Sequence, residues 1–391
     1  MAWGTQYSFG VFFKPVLNEF GWTRAVTAGA YSLNMILTGI FYIIAGRLAD
    51  RFGPRIVLTV GGCFIGPGYL LMSTVNTEWQ YYLYYGVLIS VGMGCVVVPL
   101  MSTVARWFTK GRGLASGIVI SGVGVGIVVM PLLSNKLISA YDWRTTFFIL
   151  GIIALVLIIT AAQFLRRAPD QLSPGTKKAA GATIQVQGMS PGEAIRTRQF
   201  WLIVLVSFIL GYIVQMTMAH TVPHVTDIGI AATTAATVLS VIGFVSIFGK
   251  ISMGSIGDKI GNRNSLIIVC VLMTLAFIWV RFSGELWMLY LFAVLFGLGY
   301  AGASASQSPL MAEYFGLKSH GVLYGFNQFA ANAGGAMGSF LAGFIFDTTG
   351  SYNGAFYICI ILGIIGLILS IMLHHLDSGS TSSGVKTGSN T

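Results

Sequence analysis

GRLADRFGPR, Gly46 to Arg55, and GSIGDKIGNR, Gly254 to Arg263, are the same loop written twice. Each is preceded by an apolar run of more than twenty residues and followed by another. In both copies glycines bracket an acidic residue, Asp50 or Asp258, and an arginine closes the stretch, Arg55 or Arg263. A tight charged turn between two apolar runs is the signature of a short loop joining two membrane helices. Its recurrence about 208 residues later (46 to 254) points to a duplicated half. Parallel six-helix repeats around a midplane site are a transporter architecture.

The rest of the chain fits that frame. It has 391 residues, 55% of them hydrophobic and only 9% charged. Soluble domains carry about 25% charged residues. Apolar runs recur from end to end, so the predicted class is an all-α membrane protein with twelve transmembrane helices in two six-helix bundles. The expected spans are 1–18, 24–48, 56–75, 80–106, 113–136, 144–165, 199–222, 233–256, 264–283, 287–314, 320–345 and 352–375. The first is short and carries Gly4, Thr5, Gln6 and Ser8, so it is expected to be truncated or to begin at the membrane rim. Residues 1–165 form the first bundle, 166–198 a cytoplasmic linker, 199–375 the second bundle and 376–391 a disordered cytoplasmic tail. Ser190, Pro191 and Glu193 have the spacing of a capped helix start, which predicts a short surface helix ahead of the seventh span.

A net charge of +10 is explained by topology rather than by nucleic acid. With the amino terminus inside, sixteen Lys and Arg fall in cytoplasmic segments, among them Arg47, Arg51, Arg55, Arg106, Lys110 and Arg112. Five fall outside: Lys14, Arg24, Lys136, Arg144 and Arg281. That asymmetry predicts both termini in the cytoplasm and a multi-pass protein of the cell membrane. The cysteines, Cys63, Cys95, Cys270 and Cys359, lie in apolar runs without paired spacing and read as packing residues. No zinc spacing, P-loop or catalytic triad is present, and the glycines of Gly122 to Gly126 lie inside a span. Neither enzyme activity, a cofactor, a metal nor nucleic-acid binding is expected.

The remaining Lys or Arg is Lys250. It lies eight residues inside the run that ends at Asp258, about 12 Å at the rise of a helix. In a hydrocarbon layer of about 30 Å that is close to the midplane. Intramembrane cations mark ligands, ion paths or partner charges. None of the twelve acidic residues falls deep in an apolar run, so the simplest partner is an anion that comes and goes. The alternative is an ammonium that snorkels to the rim. Polar residues at similar depth are Gln6 and Tyr7, Tyr31 and Asn34, Tyr212 and Gln215, Tyr300 and Gln307, and Asn327 and Asn332. Of these Tyr7 and Tyr300 are the leading second contacts, with helix packing as the competing role; Gln6, Tyr31, Asn34, Asn327 and Asn332 complete the candidate substrate site. Candidate proton carriers are Lys250 and His220, the latter beside Pro223 at the outer end of the seventh span. The competing role for His220 is a structural rim histidine bonded to loop backbone. Asp50, Arg51, Arg55, Asp258 and Arg263 are the candidate conformational latch, since a carboxylate is favoured at a helix amino terminus.

The repeated loop and the twelve-span layout resemble the major facilitator superfamily. The stretch Trp107 to Gly117, with Gly122 and Gly126, is similar to the helix-five signature of the monocarboxylate porter family. Phe12-Phe13-Lys14 resembles that family's first helix. Val245 to Asp258 resembles its eighth, where an arginine is usual at the place of Lys250. Oxalate/formate antiporters resemble the chain about as well. There are departures: the acidic-glycine-tryptophan opening of the first helix is absent. Tyr7 stands where proton-coupled animal members have lysine, and Ser246 where they have aspartate. Asn327 to Asn332 is neutral where an oxalate carrier has a second lysine. The resemblance implies a monomeric secondary transporter of small monocarboxylates, lactate- or pyruvate-like, with a proton as co-substrate. An exchanger of the oxalate/formate kind and a non-transporting carboxylate sensor are the alternatives.

Overall fold

A computed structural model describes residues 1–22, 24–108, 110–165 and 188–382 of the chain. Among them there is no β-strand, as hydrocarbon requires of a chain that must satisfy its own backbone. The helices are α1 (Ala2–Tyr7), α2 (Phe9–Phe20), α3 (Arg24–Phe52), α4 (Pro54–Met72), α5 (Glu78–Tyr81), α6 (Ile89–Gly94), α7 (Val97–Trp107), α8 (Arg112–Ala140) and α9 (Trp143–Phe164). After the undescribed part of the linker come α10 (Pro191–Ile195), α11 (Arg198–Asp227), α12 (Ala232–Ile260), α13 (Asn262–Val280), α14 (Leu286–Phe315), α15 (His320–Thr349) and α16 (Asn353–Ser382). A π-helical stretch, Tyr82–Leu88, joins α5 to α6, so Glu78–Trp107 runs as one span. Eleven spans among the described residues are long and apolar enough to cross a membrane. Outward-facing stripes such as Ile36, Ile40, Ile44 and Leu48 on α3 leave apolar surface for lipid to cover.

Two boundaries differ from the sequence reading. The expected first span, 1–18, is broken at Ser8 into α1 and α2. Thr5 and Ser8 bond back to the carbonyls of Ala2 (2.7 Å) and Gly4 (2.9 Å), a pattern that bends helices. The last helix runs on to Ser382, past the expected end at 375. No proline interrupts Leu376 to Ser382, and extending a formed helix needs only one further bond per residue. Residues 166–187 of the expected linker and 383–391 of the expected tail lie outside the described residues.

The chain forms two large hydrophobic cores. One consists of residues between Ala2 and Ala162. The other is built mainly from residues between Ala194 and Leu373, joined by Tyr42, Val97, Val98, Met101 and Ile127. The parts meet along two glycine seams. On α3 and α15, a Cβ at Gly46 would fall on the Gly321 carbonyl, and one at Gly325 on the Tyr42 carbonyl. On α8 and α12, a Cβ at Gly113 would fall on the Gly254 carbonyl, and one at Gly117 on the Lys250 carbonyl. Small residues let membrane helices approach this closely. Both seams approach the same end of the bundle, the end that carries the repeated loop. There Gly53 and Gly261 turn the chain at φ 92° and 90°, a region open to glycine and strained for other residues.

At that end Gly188 pairs with Gly316, and Met189 N–H donates to the Phe315 carbonyl (2.9 Å). Ser190 Oγ accepts from the Glu193 amide while Glu193 Oε2 accepts from the Ser190 amide (2.7 Å). The bond from the Ser190 amide holds the Glu193 carboxyl below its ordinary range.

Overpacking either seam is costly. Gly46→Val and Gly254→Val are each expected to lower stability in detergent by about 1–3 kcal/mol. Gly122→Ala, which would meet open space, serves as the control and is expected to be neutral. Thermal unfolding of the three purified variants checks this; equal melting temperatures would show that the seams carry no stability.

Candidate functional site

Lys250 is fully buried on α12. Its own backbone is pressed against Gly117 of α8, and Gly249 beside it against Ala301 of α14, so the side chain is held among three helices. Nζ lies 4.5 Å from the centroid of the Tyr300 ring. The negative face of the ring attracts the cation, by about 2 kcal/mol when desolvated. Nζ has no hydrogen-bond partner and no carboxylate among the described residues. Ser246, one turn earlier, donates instead to the Gly243 carbonyl of its own helix (2.8 Å).

The aromatic group around Lys250 extends to the first helix. The Tyr7 phenol meets that of Tyr300, and Tyr300 is also bonded to Ser304. Tyr7 in turn stacks on Trp3 at 5.5 Å. Trp3 was not among the candidates read from sequence, although its spacing of four from Tyr7 places both on one helix face. Tyr31 lies near this group but stacks on Phe9 (4.6 Å) and Tyr85 (6.5 Å).

The amides form separate sets. Gln6 Nε2 donates to Asn34 Oδ1 (3.3 Å), and Asn34 Nδ2 donates to the Tyr85 carbonyl (2.7 Å). Gln6 keeps a buried Oε1 with no donor. Asn327 Nδ2 donates to Gln307 Oε1 (3.3 Å), and Asn327 Oδ1 is likewise buried without a donor. Asn332 donates to the Gln328 carbonyl (2.9 Å) and lies beside the Tyr42 hydroxyl, which ties it to the seam between α3 and α15. His220 is held by both ring nitrogens, Nδ1 to Tyr352 Oη (3.1 Å) and Nε2 to the Ser339 carbonyl (2.8 Å). That is the geometry of a structural histidine joining α11 to α15 and to Tyr352 at the start of α16.

The repeated loops supply the second constellation. Asp258 accepts from the amides of Gly113 and Leu114, both at 2.9 Å, at the start of α8. Asp50 mirrors it at the start of α15: it accepts from the Val322 amide, with Gly321 against its carboxylate. Asp50 also pairs with Arg106 of α7 at 2.5 Å. Each carboxylate thus closes the positive end of a helix from the other part of the chain. The arginines of the motif make different contacts. Arg55 donates through Nε to Gln163 (3.0 Å), Arg51 lies over Phe52 (5.1 Å) and Arg263 over Tyr314 (4.8 Å). Arg106, absent from the expected latch, supplies the ion pair.

A helical bundle with a duplicated loop, glycine seams and a cation occluded at its centre is a membrane-transporter architecture. The chain belongs to the Major Facilitator Superfamily, whose family profile matches residues 1–280 and 221–388. It is therefore a multi-pass membrane protein and not an enzyme. It is 28% identical over 377 residues to the oxalate:formate antiporter of Oxalobacter formigenes, covering 95% of this chain and 87% of that one. It is 26% identical over 389 residues to monocarboxylate transporter 13 of Rattus norvegicus, covering 97% and 87%. The crystal structure of the human organic anion transporter MFSD10 (TETRAN) superposes with a TM-score of 0.70 at 14% identity, over 94% of this chain and 89% of that one.

The Asp258 contact can be tested directly. In a variant free of native cysteines, a cysteine at buried Ser116 is expected to react about tenfold faster with a maleimide once Asp258→Ala is added, a shift of about 1.4 kcal/mol. An unchanged rate would mean that the carboxylate does not hold the seam closed.

Proposed function

We propose that this chain is a secondary active transporter of small monocarboxylate anions, lactate- or pyruvate-like, coupled to protons and working by alternating access around Lys250. The observation that carries the reading is an occluded ammonium with an aromatic neighbour and no resident anion. A bound carboxylate neutralises the lysine, and an occluded neutral pair costs far less than an occluded lone charge. The names of the relatives support an organic anion as cargo.

In this reading residues 1–165 and 199–375 are the two rocking bundles, joined by the linker 166–198. The loop-motif end faces the cytoplasm with both termini, in a cell membrane. The structure then represents a cytoplasm-closed form in which Asp50 and Asp258 are the latch. Opening breaks the bonds from Gly113, Leu114 and Val322, and water takes their place at the freed helix ends. Tyr7 and Tyr300 are the second contacts of the anion; Gln6, Asn34, Asn327 and Tyr31 line the path nearby. For the proton, Lys250 is the better candidate, since Nζ has no hydrogen-bond partner while both nitrogens of His220 are engaged. The chain works as a monomer, since each site is complete within one copy.

The likeness to the oxalate:formate antiporter favours a second reading, an exchanger of organic anions. One fixed cation suits a monoanion better than a dianion, which would leave a net negative charge buried.

Counterflow of labelled lactate in proteoliposomes tests the main reading. Lys250→Ala is expected to lower the rate by about 100-fold, the size of a lost charged contact of about 3 kcal/mol, and His220→Gln by less than about twofold. Uptake unaffected by Lys250→Ala would remove the assigned role. Exchange that ignores a pH gradient would favour the exchanger.

A further inference from the structure

His320 opens α15 at the loop-motif end and is fully buried. Histidine is the side chain that ordinarily titrates near neutral pH. Its Nε2 lies 3.2 Å from Ser308 Oγ of α14, and its ring lies parallel to that of Tyr324, one turn on, at 5.8 Å. Nδ1 is buried with no hydrogen-bond partner. Neither tautomer therefore satisfies both nitrogens. A protonated ring would need two acceptors where Ser308 offers one.

The surroundings are already positive. The amides of the first turn of α15 point toward its amino terminus, where a cation is unfavourable. The charges of Arg106 on α7 and Arg112 on α8 both act on the ring. The carboxylates of the neighbouring elements are taken up elsewhere. Asp50 of α3 is engaged by the Val322 amide and Arg106, Glu313 of α14 by Asn262, and Glu193 of α10 by the Ser190 amide. The cations Lys318, Arg196 and Arg198 are exposed to solvent, where salt screens them. What covers this corner comes largely from the other part of the chain. α15 packs against α3 and α7, and a Cβ at Gly321, beside His320, would fall on the Asp50 carboxylate and the Gly46 carbonyl.

We infer that His320 is a proton-binding site that fills only when the loop-motif end opens, so that acid on that side favours the open form. The inference rests on the opening proposed above and names a regulator of it; it does not depend on the cargo. A proton that rides with the anion at Lys250 needs substrate, whereas this one acts on the empty protein. The sign follows from treating the proton as a ligand of one state. A histidine uncovered to water takes its proton at about pH 6.5. With the closed form excluding that proton, the open form gains about 1.1-fold at pH 7.5 and about 11-fold at pH 5.5. The closed form keeps its full stability well above about pH 6.5 and loses it as pH falls through that value.

The test reads the opening through Ser116→Cys in the variant free of native cysteines, without substrate. Maleimide reacts with the thiolate, so each rate is divided by that of glutathione at the same pH. Between pH 7.5 and 5.5 the corrected rate is expected to rise about tenfold. His320→Gln keeps an amide beside Ser308 and takes no proton; its rate should change by less than about twofold. His320→Asn repeats the test with a smaller amide, and melting temperatures in detergent show which variants are folded. His220→Gln should keep the full rise. An equal rise in His320→Gln, or a rise lost in His220→Gln instead, overturns the site. A corrected rate that pH leaves flat, although Asp258→Ala raises it, overturns the site and leaves the opening intact. A rate moved by neither removes the opening itself.

Discussion

The charge on Lys250, buried where no carboxylate answers it, is the constraint that organises this molecule. A cation at that depth is expensive, and the fold can reduce the cost in three ways: pair it, hydrate it or neutralise it. The described residues do not pair it, and its complete burial removes hydration. The ring of Tyr300 supplies only part of the compensation. In the function proposed above, a reversible ligand of opposite charge supplies the rest. The close helix contacts around Lys250 follow from the same need. Gly117 and Gly249 bring α8 and α14 against α12, which excludes water.

A second set of contacts lies at the repeated loops and uses a different interaction. Asp258 occupies a helix amino terminus where two amides converge, and Asp50 accepts one helix amide, from Val322, while pairing with Arg106. Duplication explains the geometry. One loop from each copy reaches a helix of the other copy, so the loop end carries a carboxylate on a helix amino terminus twice. Bonds of this kind are short and directional, and the amides they release on opening are readily taken up by water. As the proposed latch, these contacts can be firm when closed without making the open state prohibitively costly. The glycine seams that run beside it, Gly46 with Gly321 and Gly113 with Gly254, set the distance at which the carboxylates can reach.

Much of this was legible in the sequence because it rests on strong local signals. Hydrocarbon dictates long apolar runs, so nearly all spans could be placed, and the echo of Gly46–Arg55 at Gly254–Arg263 exposed the duplication. The depth of Lys250 could be counted from Asp258. Other features could not be read because they depend on tertiary distance. Ser8 breaks the first span through a bond to Gly4, a choice that a serine in an apolar run does not announce. Arg55 and Arg263 look like latch residues in the motif, yet they meet Gln163 and Tyr314, whose positions only the fold determines. Arg106 and Trp3 went unnoticed for opposite reasons. One sits in a basic loop where topology already explains a positive charge. The other looks like any interfacial aromatic until its N–H is seen to lack a partner.

The aromatic setting of Lys250 is also what makes the site usable. Had Ser246 been an aspartate facing the ammonium, an arriving carboxylate would have to displace a resident ion pair, and most of its interaction would go into breaking that pair. A tyrosine ring stabilises the free lysine by far less than a carboxylate would, and it need not leave when the anion arrives. The empty site is then held at a high but tolerable free energy, and the loaded site falls below it. In the proposed cycle that difference, rather than any single contact to the substrate, lets binding at the centre bias carboxylates at the membrane surface toward releasing their helix ends.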